Sequence, residues 1–270
     1  MRWLTFIFIS LLLGSSLKAY TDTDWDGVED AFDECPQTPF SELVNAKGCT
    51  IQNVGPMWSG DVIVGVSSSD TNSIAVEKTN TTTLSLQADL YYKQWWIQGV
   101  ISHYNFNGTT STSGMEDSVI NLFYNIPLSE KITFIPGVGV VLPTYKTGYG
   151  NEAMDYTFMA ELQASLSSNL YGYMGYGYVV VNDSDIVDAS YQNANAYHVG
   201  MGYMISSHTN ASLQYHVNDS IYVNDPKSES ISVGIAHKFS YNWFATVEYS
   251  KYINDSLGSY YTALRVGYSF

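Results

Sequence analysis

Residues 259–270 read SYYTALRVGYSF, and the spacing of this stretch decides the fold. Read back from the end, Phe270, Tyr268, Val266, Leu264, Thr262 and Tyr260 form one set, almost all apolar or aromatic. Ser269, Gly267, Arg265, Ala263, Tyr261 and Ser259 form the other, small or polar. Successive side chains of a strand point to opposite faces, so this is a strand with one face in an apolar medium and one in a polar medium. A soluble sandwich and a membrane barrel both end in such strands, and the remainder of the chain has to separate them.

The same period returns from residue 61 onward. Candidate strands are Asp61–Ser67, Thr82–Tyr92, Trp95–Tyr104, Asp117–Asn125, Lys131–Val141, Tyr156–Leu166, Leu170–Val181, Ala196–Ile205, Ala211–Val217, Ile231–Phe239, Trp243–Tyr252 and Ser259–Phe270. Lengths near ten residues suit a strand that crosses a bilayer at a tilt. Their connections alternate between long and short. Residues 68–81, 106–114, 145–155, 182–195 and 218–230 are long and polar, and 253–258 falls in the same slot. Lys93-Gln94, 126–130, 167–169, 206–210 and 240–242 are short. Short turns on one side and long loops on the other are the rhythm of an antiparallel transmembrane barrel, and a sandwich has no reason to keep it.

With this rhythm established, the terminal strand ending in Tyr268 and Phe270 resembles the C-terminal strand of bacterial outer-membrane β-barrels. The resemblance implies an all-β, antiparallel barrel of about 12 strands surrounded by outer-membrane lipid. It also implies that Tyr268 and Phe270 are the insertion signal read by the barrel assembly machinery. With an even strand number, both ends of the barrel lie on the short-turn, periplasmic side. The terminal strand must then pair with the first strand near Asp61–Ser67, because a membrane barrel leaves no open edge.

Face assignments follow from the alternation. Leu84, Leu86, Ala88 and Leu90 oppose Ser85, Gln87 and Asp89, and Trp243, Ala245, Val247 and Tyr249 oppose Phe244, Thr246, Glu248 and Ser250. The stretch 170–181, LYGYMGYGYVVV, is ambiguous because Tyr and Gly fall on both faces. Tyr91, Tyr92, Trp95, Trp96, Tyr241 and Trp243 cluster at strand ends, as interfacial girdles do. The inward set includes Asp89, Glu161, Lys238, Glu248, Arg265, Gln87, Gln163, Gln214, His198 and His216. Mixed charges of this kind either pair across the lumen and plug it or line a water-filled pore. A passive, porin-like channel for small solutes is the first expectation, and a plugged structural or adhesive barrel with acidic surface loops is the second. A lipid hydrolase is the third. It would need Ser, His and an acid together on one outward face, but the adjacent Ser102 and His103 face opposite ways and no GxSxG occurs. The chain is therefore not expected to be an enzyme.

Composition agrees with a barrel. Among 270 residues, 14% are charged, 23 are Tyr and 21 are Gly. Residues 1–19 carry Arg2, an apolar run from Trp3 to Leu13, small residues and Ala19. They read as a secretory signal peptide cut after Ala19, with a single membrane anchor as the alternative. Without Arg2 and Lys18, 9 of the 11 basic residues remain beside 26 acidic ones, a net charge of −17. Nucleic acid is excluded as a partner, since phosphate binding needs a basic footprint. Cys35 and Cys49 follow the export signal, so a disulfide is expected, with two free thiols as the alternative.

Residues 22–33 read DTDWDGVEDAFD. Asp22, Asp24 and Asp26 occupy positions one, three and five of a twelve-residue loop, with Gly27 at six, Asp30 at nine and Asp33 at twelve. Alternating carboxylates at this spacing wrap a hard cation, and position seven, Val28, offers its backbone carbonyl. With Cys35-Pro36 and Thr38 directly after the loop and VNAKGC ending at Cys49, the segment resembles a thrombospondin type 3 repeat. The resemblance implies calcium held by Asp22, Asp24, Asp26, Val28, Asp30 and Asp33. Four parts are expected in order: a signal peptide (1–19), a short irregular calcium-binding segment (20–50), a linker (51–58) and the barrel (59–270).

Overall fold

The computed structural model describes residues 22–24, 26–28, 30, 33–38, 44–45, 47–50, 58–73, 76–108, 111–145, 153–185, 190–254 and 260–270. The expected signal peptide and residues 51–57 of the expected linker lie outside them, while Trp58, expected to end the linker, opens the first strand. Among the described residues the strands are β1 (Trp58–Ser73), β2 (Val76–Tyr92), β3 (Trp95–Asn107), β4 (Thr112–Met115), β5 (Ser118–Tyr124), β6 (Ile126–Ser129) and β7 (Ile132–Leu142). They continue as β8 (Asp155–Ser165), β9 (Leu170–Val180), β10 (Ala194–Ser206), β11 (Thr209–Asn218), β12 (Ser228–Lys238), β13 (Trp243–Tyr252) and β14 (Tyr260–Ser269).

Every pairing is antiparallel, and the sheet closes on itself: β1 holds β2 on one side and β14 on the other, while β2 also holds β3. Three short strands are pieces of a single stave. β5 and β6 keep one register against β7 (Phe123↔Gly137, Ile126↔Phe134). β4 and β5 both pair β3 with a one-residue slip between them (His103↔Met115, Val100↔Val119). The ring thus has 12 staves. Its seam runs from Asp61↔Ser269 to Asp70↔Tyr260, locked by Gly60 N–H to Phe270 O at 3.0 Å and Phe270 N–H to Gly60 O at 2.9 Å. The terminal strand pairs where the alternation and the need for a closed edge required.

Burial is inverted relative to a water-soluble protein. The buried apolar side chains among the described residues are Tyr104, Ile135, Ala194 and Ala263, whereas Asp89, Asn121, Ser230, Ser232 and Ser250 are buried polar ones. Val62, Val64, Val66, Leu84, Leu86, Ile231, Val233, Leu264 and Val266 all face outward and are exposed. Removing such a belt from water is favourable at about 25 cal/mol per Å². Aromatic rings flank it: Trp58–Phe270, Trp95–Tyr124 and Trp243–Tyr268 toward the short turns, Tyr176–Tyr197 and Tyr249–Tyr260 toward the long loops.

Three expectations are corrected. Residues 68–81 do not form a long loop. β1 runs to Ser73 and β2 begins at Val76, and above Asp70 and Asn80 the two pair only with each other. β1 thus continues three residues (71–73) beyond its pairing with β14, about 10 Å. The Ser and Thr residues there tolerate extended backbone. Beyond the bilayer no face need be apolar, so no alternation shows in the sequence. Residues 126–129 are likewise strand rather than turn, and 112–115 pair back onto β3. Finally, Tyr91 and Trp96 are not girdle residues. Strand alternation turns them inward while their neighbours Tyr92 and Trp95 face out, exposed.

Candidate functional site

Among the described residues, three of the polar groups on the inward faces of the staves hold luminal charges. The first surrounds Asp89, which is 2% exposed. It accepts hydrogen bonds from Gln87 Nε2 (2.7 Å), Trp96 Nε1 (2.9 Å) and Gln98 Nε2 (3.0 Å). Gln98 is its register partner and in turn accepts from Asn121 Nδ2 at 3.2 Å. Nearby, Asp61 accepts from the Tyr91 hydroxyl (3.1 Å) and the Ser269 hydroxyl (2.6 Å), which ties the closing seam to this group. A buried carboxylate is tolerable only with such a full set of donors.

The second group joins β8 to β10 across β9. Glu161 Oε2 lies 3.3 Å from His198 Nε2, and Glu161 Oε1 accepts from Gln163 Nε2 at 2.6 Å. The contact passes over Gly175, the register partner of His198, where any Cβ would overlap the imidazole. The third joins Arg265 to Glu248 (3.1 Å) and to the Tyr261 hydroxyl (3.2 Å). Lys238 ends β12 with the parity of inward Ser232 and Gly234 but stands exposed at the short-turn rim, away from these groups.

Gly175 is one case of a rule. Tyr173 faces Gly200, Tyr171 faces Gly202, Phe244 faces Gly267 and Phe123 faces Gly137, each in direct register. In each pair a Cβ on the glycine would collide with the ring. These four inward rings therefore lie along the wall, each over a residue with no side chain. This resolves the ambiguous stretch 170–181. Tyr171 and Tyr173 turn inward over glycines of β10, while Tyr176 turns outward into the girdle, where its hydroxyl donates to Asn195 Oδ1 at 2.9 Å. Gln98, Asn121, Tyr171 and Tyr173 belong to the lumen although the sequence reading did not single them out. Their parity relative to Asp89 and Glu161 was the available signal.

The acidic segment is a separate constellation. Asp22, Asp24 and Asp26 bring carboxylate oxygens within 4.8 Å of one another. The loop is shaped by its own carboxylates: Gly27 N–H donates to Asp22 (2.9 Å), Val28 N–H to Asp26 (2.8 Å), and Gln37 and Thr38 N–H to Asp24 (2.7 and 2.6 Å). Gly27, at φ +93°, makes the turn that the sixth position of such a loop requires. Asp26 Oδ2 is buried without a hydrogen-bond partner. Desolvation, then the nearby carboxylates of Asp24 and Asp33, hold the Asp26 carboxyl above its usual range against the pull of the Val28 N–H. A Cβ on Gly48 would overlap Asp33 Oδ1 and stand 3.0 Å from Asp26 Oδ2, so Asp33 reaches the same side as Asp26. Asp30 instead accepts from Thr23 N–H and its hydroxyl, both at 2.7 Å. An orphaned carboxylate oxygen among converging carboxylates fits a hard divalent cation. Cys35 and Cys49 form a disulfide with Cα atoms 4.9 Å apart, and Thr38 bridges the two arms by donating to Gly48 O at 2.6 Å.

A closed antiparallel ring of 12 staves, apolar and aromatic outside and polar inside, defines the class: a transmembrane β-barrel. No protein family known by sequence matches this chain. No curated protein matches it either. Its backbone is similar to that of the NanC porin (TM-score 0.54, 15% identity, 78% of this chain and 98% of that one). It is also similar to the KdgM porin (TM-score 0.51, 10% identity, 78% and 99%). A third likeness is to the beta domain of the Bordetella autotransporter Brka (TM-score 0.50, 10% identity, 78% and 100%). At these identities the likeness is one of fold.

Proposed function

We propose that the chain is a passive channel for small solutes in a bacterial outer membrane, with a calcium-binding cap on the periplasmic side. One observation carries the channel reading: the lumen side chains lie along the wall. Arg265 and Glu248 belong to adjacent strands, Glu161 and His198 to strands two apart, and Tyr171, Tyr173, Phe123 and Phe244 lie over glycines. The two pairs keep about a third of their side-chain surface accessible, 35% and 29% for Arg265 and Glu248, 31% and 28% for Glu161 and His198. Charges that plugged the lumen would meet across it and be buried. A ring of 12 staves has the circumference for an aqueous path. The similar NanC and KdgM structures are porins, which favours the same use here. Discrete conductance steps are expected from the refolded full chain in a planar bilayer, and their absence at every voltage would remove the channel.

In this reading the signal peptide is cut after Ala19, Tyr268 and Phe270 direct insertion, and the short-turn end is periplasmic. Calcium is held by Asp22, Asp24, Asp26 and Asp33 with the Val28 carbonyl, and Asp30 acts from the side through Thr23. The metal neutralises the crowded carboxylates and, with the disulfide, orders a segment with little apolar surface to bury. Calorimetry on the full chain should show saturable calcium heat that vanishes in Asp22→Ala/Asp26→Ala. Heat that survives in that variant, or no heat at all, would remove the calcium site.

A further inference from the structure

The lumen wall between β9 and β14 contains a depression of about 230 Å³ toward the short turns. Its floor is made of the small residues Ser212, Ser232 and Gly234. Tyr171 and Asn210 stand on one side, Thr246 and the Glu248–Arg265 pair on the other. Two polar atoms of this niche, Asn210 Oδ1 and Thr246 Oγ1, are buried and have no hydrogen-bond partner. The Asn210 amide is held in place because its Nδ2 donates to the Tyr171 hydroxyl at 2.5 Å. Its Oδ1 is therefore a fixed acceptor awaiting a donor, and the Thr246 hydroxyl can donate or accept. Leaving such atoms unpaired is costly, so an occupant that pairs them is favoured.

The charge of the niche restricts its occupant. Glu248 and Arg265 neutralise each other, so the niche itself offers no net charge to an ion. The rest of the wall carries Asp61, Asp89 and Glu161 without a second arginine in these groups. An anion would meet like charge along the path, with little screening from narrow walls. Water can meet either orphaned atom singly. A ring bearing several hydroxyls can meet both at once while its apolar face lies on the Tyr171 ring.

We propose that this niche is a binding subsite for a neutral polyhydroxylated solute, of which a single sugar ring is the smallest example. As a subsite on a conduction path it rests on the channel reading; as a binding site it does not. The probes are glucose and glucuronate, which share a ring and differ by one carboxylate. Saturation-transfer NMR on the detergent-solubilised full chain should show saturable glucose binding and glucuronate binding weaker by about tenfold or more. Thr246→Val keeps the shape and removes the hydroxyl, and loss of its contact should weaken glucose several-fold, up to about tenfold. Gly234→Leu fills the niche and should abolish binding. Equal binding of the two sugars, no saturable glucose binding, or glucose binding unchanged in both variants would overturn the proposal. Glucose binding without any ion current would remove the channel and leave the sugar site standing.

Discussion

Leu264→Arg should destabilise the barrel in lipid by about 2–4 kcal/mol, the cost of an arginine on the lipid face near the bilayer midplane. Leu264 lies midway between the rings of Tyr260 and Tyr268, pairs with Val66 and Val247, and is 47% exposed on the outer face. Its neighbour Arg265 supplies the control. Arg265→Ala removes a luminal ion pair that is about a third exposed and should cost less than about 1 kcal/mol. Denaturant unfolding in lipid vesicles measures both. Equal small costs at 264 and 265 would show that the outer face does not meet hydrocarbon.

Asp89→Leu should cost about 3 kcal/mol or more, because it strands three donors at once: the amides of Gln87 and Gln98 and the indole N–H of Trp96. Asp89→Asn keeps an acceptor oxygen and loses the charge, so it should fall between Leu and wild type. The damage should extend to the seam, since Asp61, in register with Asp89, is tied there to Tyr91 and Ser269. Unfolding midpoints together with the heat-modified mobility of the folded barrel on gels give the readout. A neutral Asp89→Leu would mean that the donors find water, and that the group does not brace the wall.

Both effects depend on features of unequal visibility. The lipid face could be read directly: Leu84, Leu86 and Leu90 alternate with polar residues, and all three are exposed outward in the ring. The same alternation assigned Asp89, Glu161, Glu248 and Arg265 to the lumen. It was overridden at Tyr91 and Trp96, where the affinity of aromatic residues for membrane interfaces suggested a girdle while parity placed them inside. It was silent at the β1–β2 hairpin, since a segment wet on both faces has no apolar period to display. The carboxylate spacing from Asp22 to Asp33 located the candidate cation site, but spacing does not say that Asp30 turns to Thr23 while Asp33 approaches Gly48.

The twelve staves, their alternating faces and the closure of the terminal strand on the first were legible in the sequence, although the extent of the β1–β2 hairpin and the strands at 112–115 and 126–129 were not. Strand geometry repeats every two residues, and a membrane forbids an open edge, so both rules act locally or universally and need no contact map. The tertiary structure decided which inward residues meet. Glu161 reaches His198 across an intervening strand because Gly175 stands between them. Arg265 turns to Glu248 beside it on the wall. Asn210 and Thr246, on strands two apart, line one niche because the intervening β12 presents Ser232 and Gly234 there. Register and curvature set these meetings, and both arise only when the ring closes and each strand has two neighbours.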